Sequence, residues 1–333
     1  MTMQVLGLDI GGANLKAAHV SGRARTEPFP LWRAPGELPP RLARMLEGWP
    51  PFDQLAVTMT GEICDCFPTK REGVRTILDA VAAVARVPVR VWTTLDRFVS
   101  LAGARDEPLS AAAANWLALA HLAGRFKPSG AGLLLDCGST TTDLVPLWRG
   151  RPVPRGRSDP ERLRTGELVY SGARRTPVCA LLGLRGAAEF FATTQDVYLV
   201  LNETAAAADD CDTADSRPAT RPFAEARLAR MMGADLETST PAQRLALARR
   251  VANRQVAGIV RAMRRVVTAW GQRPTLLILS GSGEFLARRV VRAFDPEGHV
   301  RITSLAAQFS PEVSHAACAF AVAFLAAERG PGA

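Results

Sequence analysis

The stretch from residue 4 to 18 places an acidic side chain and two glycines between two apolar runs. Strand-forming residues on either side of small residues predict a β-hairpin. Gly11 and Gly12 let backbone amides approach a ligand closely, and a concavity of such amides suits phosphate oxygens. A carboxylate at the end of a buried strand, here Asp9, requires a cation or a hydrogen-bond network, and Lys16 adds a positive charge for the same anion. The alternative is an ordinary hairpin with an incidental aspartate.

A second stretch repeats this pattern, and a third has a related glycine-rich turn. Residues 132–147 (GLLLDCGSTTTDLVPL) form an apolar run, an Asp-x-Gly turn rich in hydroxyls, and a second apolar run. Residues 275–284 (TLLILSGSGE) run from a buried strand into a glycine-rich turn that precedes a helix. Two phosphate-binding hairpins that face each other would make a site for a di- or triphosphate.

The order and separation of these three stretches resemble the actin/Hsp70/sugar-kinase superfamily, in which two related domains each supply a phosphate loop and a third loop borders the nucleotide base. The resemblance implies an α/β fold of two ribonuclease-H-like domains around a central cleft. The first domain would comprise residues 1–128 and be closed by a C-terminal helix at residues 313–329. The second domain would comprise residues 129–312.

Hydrophobic periodicity gives the elements that would hold these loops. Beyond the hairpins, strands are predicted at residues 25–32, 55–60, 87–92, 275–279 and 300–304. Helices are predicted at residues 38–49, 72–86, 109–126, 223–232, 241–270, 284–294 and 313–329.

The composition indicates a globular chain that binds anions. It has 333 residues, of which 47% are hydrophobic and 22% charged, and a net charge of +9. The arginines are scattered and no helix-turn-helix, zinc-finger or stacking signature accompanies them, so we expect no nucleic-acid partner. No apolar run reaches the roughly 18 residues of a membrane span, and no signal pattern is present. A cytoplasmic location without a membrane partner is therefore expected.

The six cysteines have no disulfide-framework spacing and are predicted to be reduced thiols. Cys64 and Cys66 are the only close pair, and one intervening residue is tighter than a zinc knuckle allows. Metal binding there is the less favoured alternative.

The hairpins also supply candidate ligands for Mg²⁺, which prefers oxygen donors and retains waters. Asp9 and Asp136 are predicted to hold the ion directly or through water. Asp143 is either a third metal ligand or a carboxylate that caps the second hairpin. The predicted phosphate-binding residues of the turns are Gly11, Gly12, Asn14, Gly138, Ser139, Thr140, Thr141, Gly281, Ser282 and Gly283.

Four segments resemble one branch of this superfamily, the hydantoinase/oxoprolinase-related proteins of one-carbon cofactor biosynthesis. They are the hairpin GLDIGGANLK, residues 58–74 (TMTGEICDCFPTKREGV), residues 170–177 and residues 210–220 (DCDTADSRPAT). The group includes proteins of tetrahydromethanopterin-linked formaldehyde metabolism and an archaeal enzyme of methanofuran synthesis.

The resemblance to the methanofuran enzyme implies a transferase rather than a kinase. In that reaction an aminomethylfuran-methyl diphosphate loses pyrophosphate and is captured by the phenol oxygen of a tyramine derivative such as γ-glutamyltyramine. The partners would be small molecules, a diphosphate and a phenolic amine. Because the furan ring stabilises the methyl cation, the protein chiefly needs to neutralise the diphosphate and exclude water.

The remaining chemistry needs a base and further cations. Glu62 and Asp196 are candidate bases for the phenol proton, and the predicted catalytic residues are Asp9, Lys16, Glu62 and Asp136. The side chains predicted to bind the diphosphate or the glutamyl carboxylate are Lys70, Arg71, Arg174 and Arg175, for which surface salt bridges are the alternative. The acidic residues from 209 to 215 form either a flexible loop or one that orders over ligand.

Two other functions stay open. The first is an ATP- and Mg²⁺-dependent kinase or a hydantoinase/oxoprolinase-type amide hydrolase, since an SGSG loop commonly borders adenosine; ATP is a cofactor only in this case. The second is a non-catalytic nucleotide-binding scaffold. The oligomeric state is also open, with a homodimer as one alternative.

Overall fold

The computed structural model describes residues 3–330. The strands are β1 Val5–Ile10, β2 Asn14–His19, β3 Ala24–Pro28, β4 Gln54–Met59, β5 Val89–Trp92, β6 Phe98–Ser100, β7 Ala131–Cys137, β8 Thr142–Trp148, β9 Arg151–Pro152, β10 Leu168–Val169, β11 Leu276–Ser280 and β12 Arg301–Ser304. The helices are α1 Leu38–Met45, α2 Lys70–Val84, α3 Leu101–Asp106, α4 Pro108–Ala111, α5 Asn115–Gly124, α6 Asp159–Thr165, α7 Val178–Leu182, α8 Thr194–Val200, α9 Arg221–Arg230, α10 Pro241–Trp270, α11 Glu284–Phe294, α12 Leu305–Gln308, α13 Pro311–His315 and α14 Ala317–Arg329.

Two sheets that share a five-strand core topology form the framework. The first has the order β3-β2-β1-β4-β5-β6, and the second has the order β10-β8-β7-β11-β12 with β9 beside β8. In each sheet the first strand in sequence pairs antiparallel with the second and parallel with a later strand. This repeated order is the ribonuclease-H-like topology, so the predicted fold class is confirmed. The domain boundary between residues 128 and 129 stays a prediction.

Helices cover the two sheets and fill the space between them. The apolar α14 lies against β1, β2, β4 and α5, and most of its side chains are buried because the helix is hydrophobic on nearly all faces. Gly7 permits this contact, since a Cβ at that position would be 1.9 Å from the Ala319 carbonyl oxygen. Among residues 3–330, none of the helices has the length and apolar character that crossing a bilayer requires.

Several helices and strands have bounds in the structure that differ from the predicted ones. Helix 109–126 is divided into α4 and α5 because Ala113 has φ of 47°, which a helix cannot contain. Helix 313–329 is likewise divided, since Ala316 has φ −107° and ψ 28°. Helix 38–49 ends at Met45, and strand 25–32 ends at Pro28, after which the Leu31 amide bonds to Gly12.

Candidate active site

The two hairpin turns face each other across a cleft of about 620 Å³, a volume within the usual range for small-molecule sites. Both sheets contribute to it. Of the predicted site residues, the following line the cleft: Asp9, Gly11, Gly12, Asn14, Lys16, Glu62, Asp136, Gly138, Ser139, Thr140, Thr141, Asp143, Arg174 and Arg175.

The two hairpins place aspartates at matching positions. Asp9 of β1 lies opposite Lys16 of β2, and Asp136 of β7 lies opposite Asp143 of β8. Within residues 3–330, one oxygen of Asp9 and one of Asp136 are buried without a hydrogen-bond partner. Because an unpaired buried carboxylate is costly, these two oxygens fit a cation or the donors of a bound ligand.

Burial also changes the ionisation of both groups. It raises the pKa of Asp9, although Lys16 and a hydrogen bond from Asn115 act in the opposite direction. Burial and the neighbouring charge of Asp143 raise the pKa of Asp136 to about 7. A cation beside these carboxylates would favour their charged forms.

The third predicted metal ligand, Asp143, has a cationic partner inside the protein. Its Oδ1 accepts a hydrogen bond of 2.8 Å from Arg162, and burial raises its pKa against the influence of that arginine. The Arg162 guanidinium carbon lies 3.8 Å from the centre of the Trp116 ring, a cation–π distance. No three acidic, His or Cys side chains among residues 3–330 form a metal-binding group. We therefore restrict the metal proposal to Asp9 and Asp136.

The turn amides divide into two kinds. Gly11 donates to the Asn14 carbonyl at 3.0 Å and Gly138 donates to the Thr141 carbonyl at 2.9 Å, so these two amides close the turns. Within residues 3–330, the next two amides of each turn have no acceptor: those of Gly12, Ala13, Ser139 and Thr140. The unpaired amides are the ones free to bind phosphate oxygens.

The segment 170–177 packs directly on the second hairpin. The Ala173 amide donates to Gly138 at 2.9 Å, and the amides of Arg174 and Arg175 donate to Ser139 at 3.0 and 2.9 Å. Gly172 permits this approach, since a Cβ there would lie 2.6 Å from the backbone of Ser139 and Thr140. The segment therefore fixes the position of the second hairpin turn.

Gly172→Ala is expected to displace that turn and to lower kcat/KM for the predicted diphosphate substrate by at least tenfold, because small displacements of a binding group are costly in rate (about 100-fold for 1 Å). Steady-state kinetics would measure the loss. Gly258→Ala is the control, since a Cβ at this α10 position meets no other atom within 4 Å. Equal kinetics for both variants would contradict the positioning role of the segment.

Glu62 is the most isolated carboxylate of the cleft. It is 1% exposed, and neither of its oxygens has a hydrogen-bond partner among residues 3–330. Burial raises the pKa of Glu62 to about 7, against the opposing charge of Lys70. A carboxylate that is half ionised near neutral pH suits proton transfer.

Glu62 has a counterpart, Glu284, in the second half of the chain, and the two glutamates have different environments. Thr58 pairs with Asp9 and Ser280 pairs with Asp136, so Glu62 and Glu284 occupy equivalent positions after β4 and β11. Glu284 accepts hydrogen bonds of 2.6 Å from Ser304 and from Arg288. Glu62, which lines the cleft, therefore lacks the side-chain hydrogen bonds that its counterpart Glu284 makes.

The other predicted bases and cations lie elsewhere. Asp196 is 1% exposed and accepts hydrogen bonds from the Thr193 amide and from Arg227; it does not line the cleft, so we no longer consider it a base. Lys70 pairs with Asp159 at 3.2 Å, which joins α2 to α6 beside the cleft. Arg71 is exposed and outside the cleft lining.

The SGSG turn lies behind the second hairpin rather than in the cleft. The Gly283 amide donates to the Cys137 carbonyl at 2.8 Å. A Cβ at Gly281 would lie 2.3 Å from that carbonyl oxygen and 2.7 Å from Asp136 Oδ1. None of Gly281, Ser282 and Gly283 lines the cleft, so this turn supports Asp136 from behind.

The predicted acidic loop reaches the cleft through ion pairs. Arg174 pairs with Asp210 at 2.8 Å, and Arg175 pairs with Asp212 at 3.0 Å. Asp215 pairs with the buried Arg227 at 2.8 Å. The loop is thus held by arginines at several points along its length.

Several cleft residues were missed by the sequence analysis because nothing in their spacing marks them. They come from turns and helix starts that reach the cleft only in the folded chain: Trp32, Arg33, Asn115, Trp116, Asp159 and Arg162. Cys64 also lines the cleft, and burial raises its pKa to about 11.

Comparisons with known proteins agree with this geometry. The family model for hydantoinase/oxoprolinase matches residues 53–329. A protein of Methanocaldococcus jannaschii named (4-{4-[2-(gamma-L-glutamylamino)ethyl]phenoxymethyl}furan-2-yl)methanamine synthase is 31% identical over 338 residues, covering 98% of each chain. A protein of the same name from Methanococcus vannielii is 27% identical over 201 residues, which are 58% of this chain and 89% of that protein. The nucleotide-free structure of an acetone carboxylase has a TM-score of 0.61 at 10% identity, covering 97% of this chain and 70% of that chain, which shows a shared fold.

Proposed function

The chain belongs to the hydantoinase/oxoprolinase family, and we propose that it is a transferase of furan-type one-carbon cofactor biosynthesis. The proposed reaction joins an aminomethylfuran-methyl diphosphate to the phenol oxygen of γ-glutamyltyramine or a related tyramine derivative. The name of the relative that covers 98% of this chain supports this reaction, because it describes an aryl ether between a furan-methyl group and such a phenol.

The bonds and charges of this step balance without an oxidant or reductant. The bond between the furan methylene carbon and the diphosphate oxygen breaks, and pyrophosphate takes the electron pair. The phenol oxygen forms the new bond to the methylene carbon, and its proton passes to a base. The protein therefore needs an anion site, a base and shelter from water.

The paired hairpins are suited to the diphosphate. The unpaired amides of the two turns face the cleft from both sheets, and Lys16 adds a positive charge beside them. The unpaired oxygens of Asp9 and Asp136 fit Mg²⁺, which commonly uses one or two carboxylates and completes its shell with substrate phosphates and water. The chemistry that bound Mg²⁺ would supply is neutralisation of charge on the leaving pyrophosphate.

Glu62 is the proposed base. The phenol of a tyramine has a pKa of about 10, so its proton must be removed as the new bond forms. Glu62 is buried in the cleft without a hydrogen-bond partner among residues 3–330. This single observation supports a condensing enzyme over a scaffold, because a buried, unpaired carboxylate with a raised pKa in a cleft is typical of catalytic acids and bases.

A comparison of two substrate sets in the presence of Mg²⁺ tests the function. We expect pyrophosphate release from furan-methyl diphosphate plus γ-glutamyltyramine, and no requirement for ATP. Tight ATP binding or phosphate release from ATP, with the furan diphosphate inert, would contradict the proposal and favour a kinase or an ATP-driven amide hydrolase. Calorimetry would measure ATP binding, and a separate pyrophosphate assay would measure turnover of the furan diphosphate.

A further inference from the structure

A group of side chains that line the cleft beside the two turns combines an aromatic ring, three arginines and a carboxylate. We call this group the cleft rim; it consists of Trp32, Arg33, Arg174, Arg175 and Asp212, all of which line the cleft. The tryptophan and Arg33 follow β3 of the first sheet, and the other three residues come from two segments of the second half of the chain. The rim is therefore assembled only when the two halves meet.

The contacts within the rim hold its side chains in place but leave them accessible. The Arg175 guanidinium carbon lies 4.7 Å from the centre of the Trp32 ring, and that of Arg33 lies 5.9 Å away. Arg175 also pairs with Asp212 at 3.0 Å, and their side chains are 30% and 46% exposed. Within residues 3–330, Arg33 has no carboxylate partner.

The charge pattern of the rim does not suit a diphosphate. Arg174 and Arg175 already carry Asp210 and Asp212 as partners, and these carboxylates would repel a polyanion. A zwitterion fits better, because a ligand carboxylate can bind an arginine while a ligand ammonium binds the aspartate. The ring of Trp32 offers an apolar surface for the chain between these charges.

We propose that the cleft rim binds the α-amino acid head group of the acceptor substrate. Arg33 and Arg175 hold its carboxylate, and Asp212 holds its ammonium group. This inference rests on the proposed function, and it divides the cleft by chemistry: the turn amides bind the diphosphate, Glu62 takes the phenol proton, and the rim residues beside the turns bind the amino acid. A rim with this role would favour acceptors that carry a glutamyl group over simple phenolic amines.

Selectivity between two acceptors tests the rim. Selectivity is measured as the ratio of kcat/KM for γ-glutamyltyramine to kcat/KM for tyramine, with furan-methyl diphosphate at saturation. We expect Arg33→Ala and Asp212→Asn each to lower this ratio by roughly tenfold or more, as expected for loss of a charge-assisted hydrogen bond. Arg41→Ala, which changes an exposed arginine of α1 outside the cleft, is the control and should keep the wild-type ratio.

A direct binding measurement keeps this test separate from the test of the reaction. Calorimetry should give weaker γ-glutamyltyramine binding to Arg33→Ala than to the wild-type protein, whether or not the furan diphosphate is turned over. An unchanged ratio, or equal affinity of wild type and variant, would overturn the rim assignment. Wild-type pyrophosphate release that shows no preference for either acceptor would also overturn it while leaving the proposed reaction intact.

Discussion

Asp9→Asn and Asp136→Asn are each expected to abolish Mg²⁺-dependent turnover while the fold remains intact. Both carboxylates line the cleft, each with a buried oxygen that has no partner among residues 3–330. An amide has nearly the same shape but cannot supply the negative charge that holds a divalent cation. Loss of one group that stabilises developing charge commonly costs 10²- to 10³-fold in kcat, and loss of the metal site should cost at least as much.

The thermal stability of these variants, unlike their activity, should not fall. Burial raises the pKa of Asp136 to about 7, which means that the folded protein disfavours its charged form. Asparagine removes this cost, so we expect an unchanged or higher Tm. Turnover against Mg²⁺ concentration and thermal unfolding would measure the two effects, with the exposed Asp106→Asn as control. Full activity in both variants would exclude the metal assignment.

Glu62→Gln is the second substitution with a large expected effect, a fall of about 10²- to 10⁴-fold in kcat. The base must be ionised to accept the phenol proton, and the pKa of Glu62 is raised to about 7 by burial. The wild-type rate should therefore fall as the pH drops below 7, because Glu62 becomes protonated. The residual rate of Glu62→Gln should not show this fall below pH 7, because the variant has no carboxylate to protonate at that position.

The internal repeat supplies the control for this experiment. Glu284 occupies the equivalent position after β11, but its oxygens are paired with Ser304 and Arg288. Glu284→Gln should keep the wild-type pH profile of kcat. A Glu62→Gln variant with the wild-type rate and profile would show that the proton is taken by another group.

The framework of the cleft was predictable because its signals are local. Each hairpin is encoded by a short run of apolar residues around an Asp-x-Gly turn, and the pleat then brings Asp9 opposite Lys16 and Asp136 opposite Asp143. The ribonuclease-H-like fold class followed from the two hairpins and the SGSG stretch, and the hydantoinase/oxoprolinase family followed from four segments that include the first hairpin. Both predictions are confirmed. The roles of the individual site residues stay predictions.

The rest of the site depends on contacts between distant parts of the chain. Nothing local indicates that Arg162 would lie on Trp116 and pair with Asp143, or that Trp32 would meet Arg175. Asp196 illustrates the opposite error: its position suggested a base, but the structure uses it as a helix cap and as the buried partner of Arg227. Side-chain type alone cannot distinguish these roles, since they are set by burial and by the available partner.

The most direct test of the proposed function follows the phenol oxygen through the reaction. γ-Glutamyltyramine labelled with ¹⁸O at the phenol would be incubated with furan-methyl diphosphate, Mg²⁺ and the protein, without ATP. The proposed reaction predicts one ether formed for each pyrophosphate released, with the label retained in the ether. Pyrophosphate release without ether, loss of the label, or an absolute need for ATP would contradict the assignment of this cleft as the site of condensation.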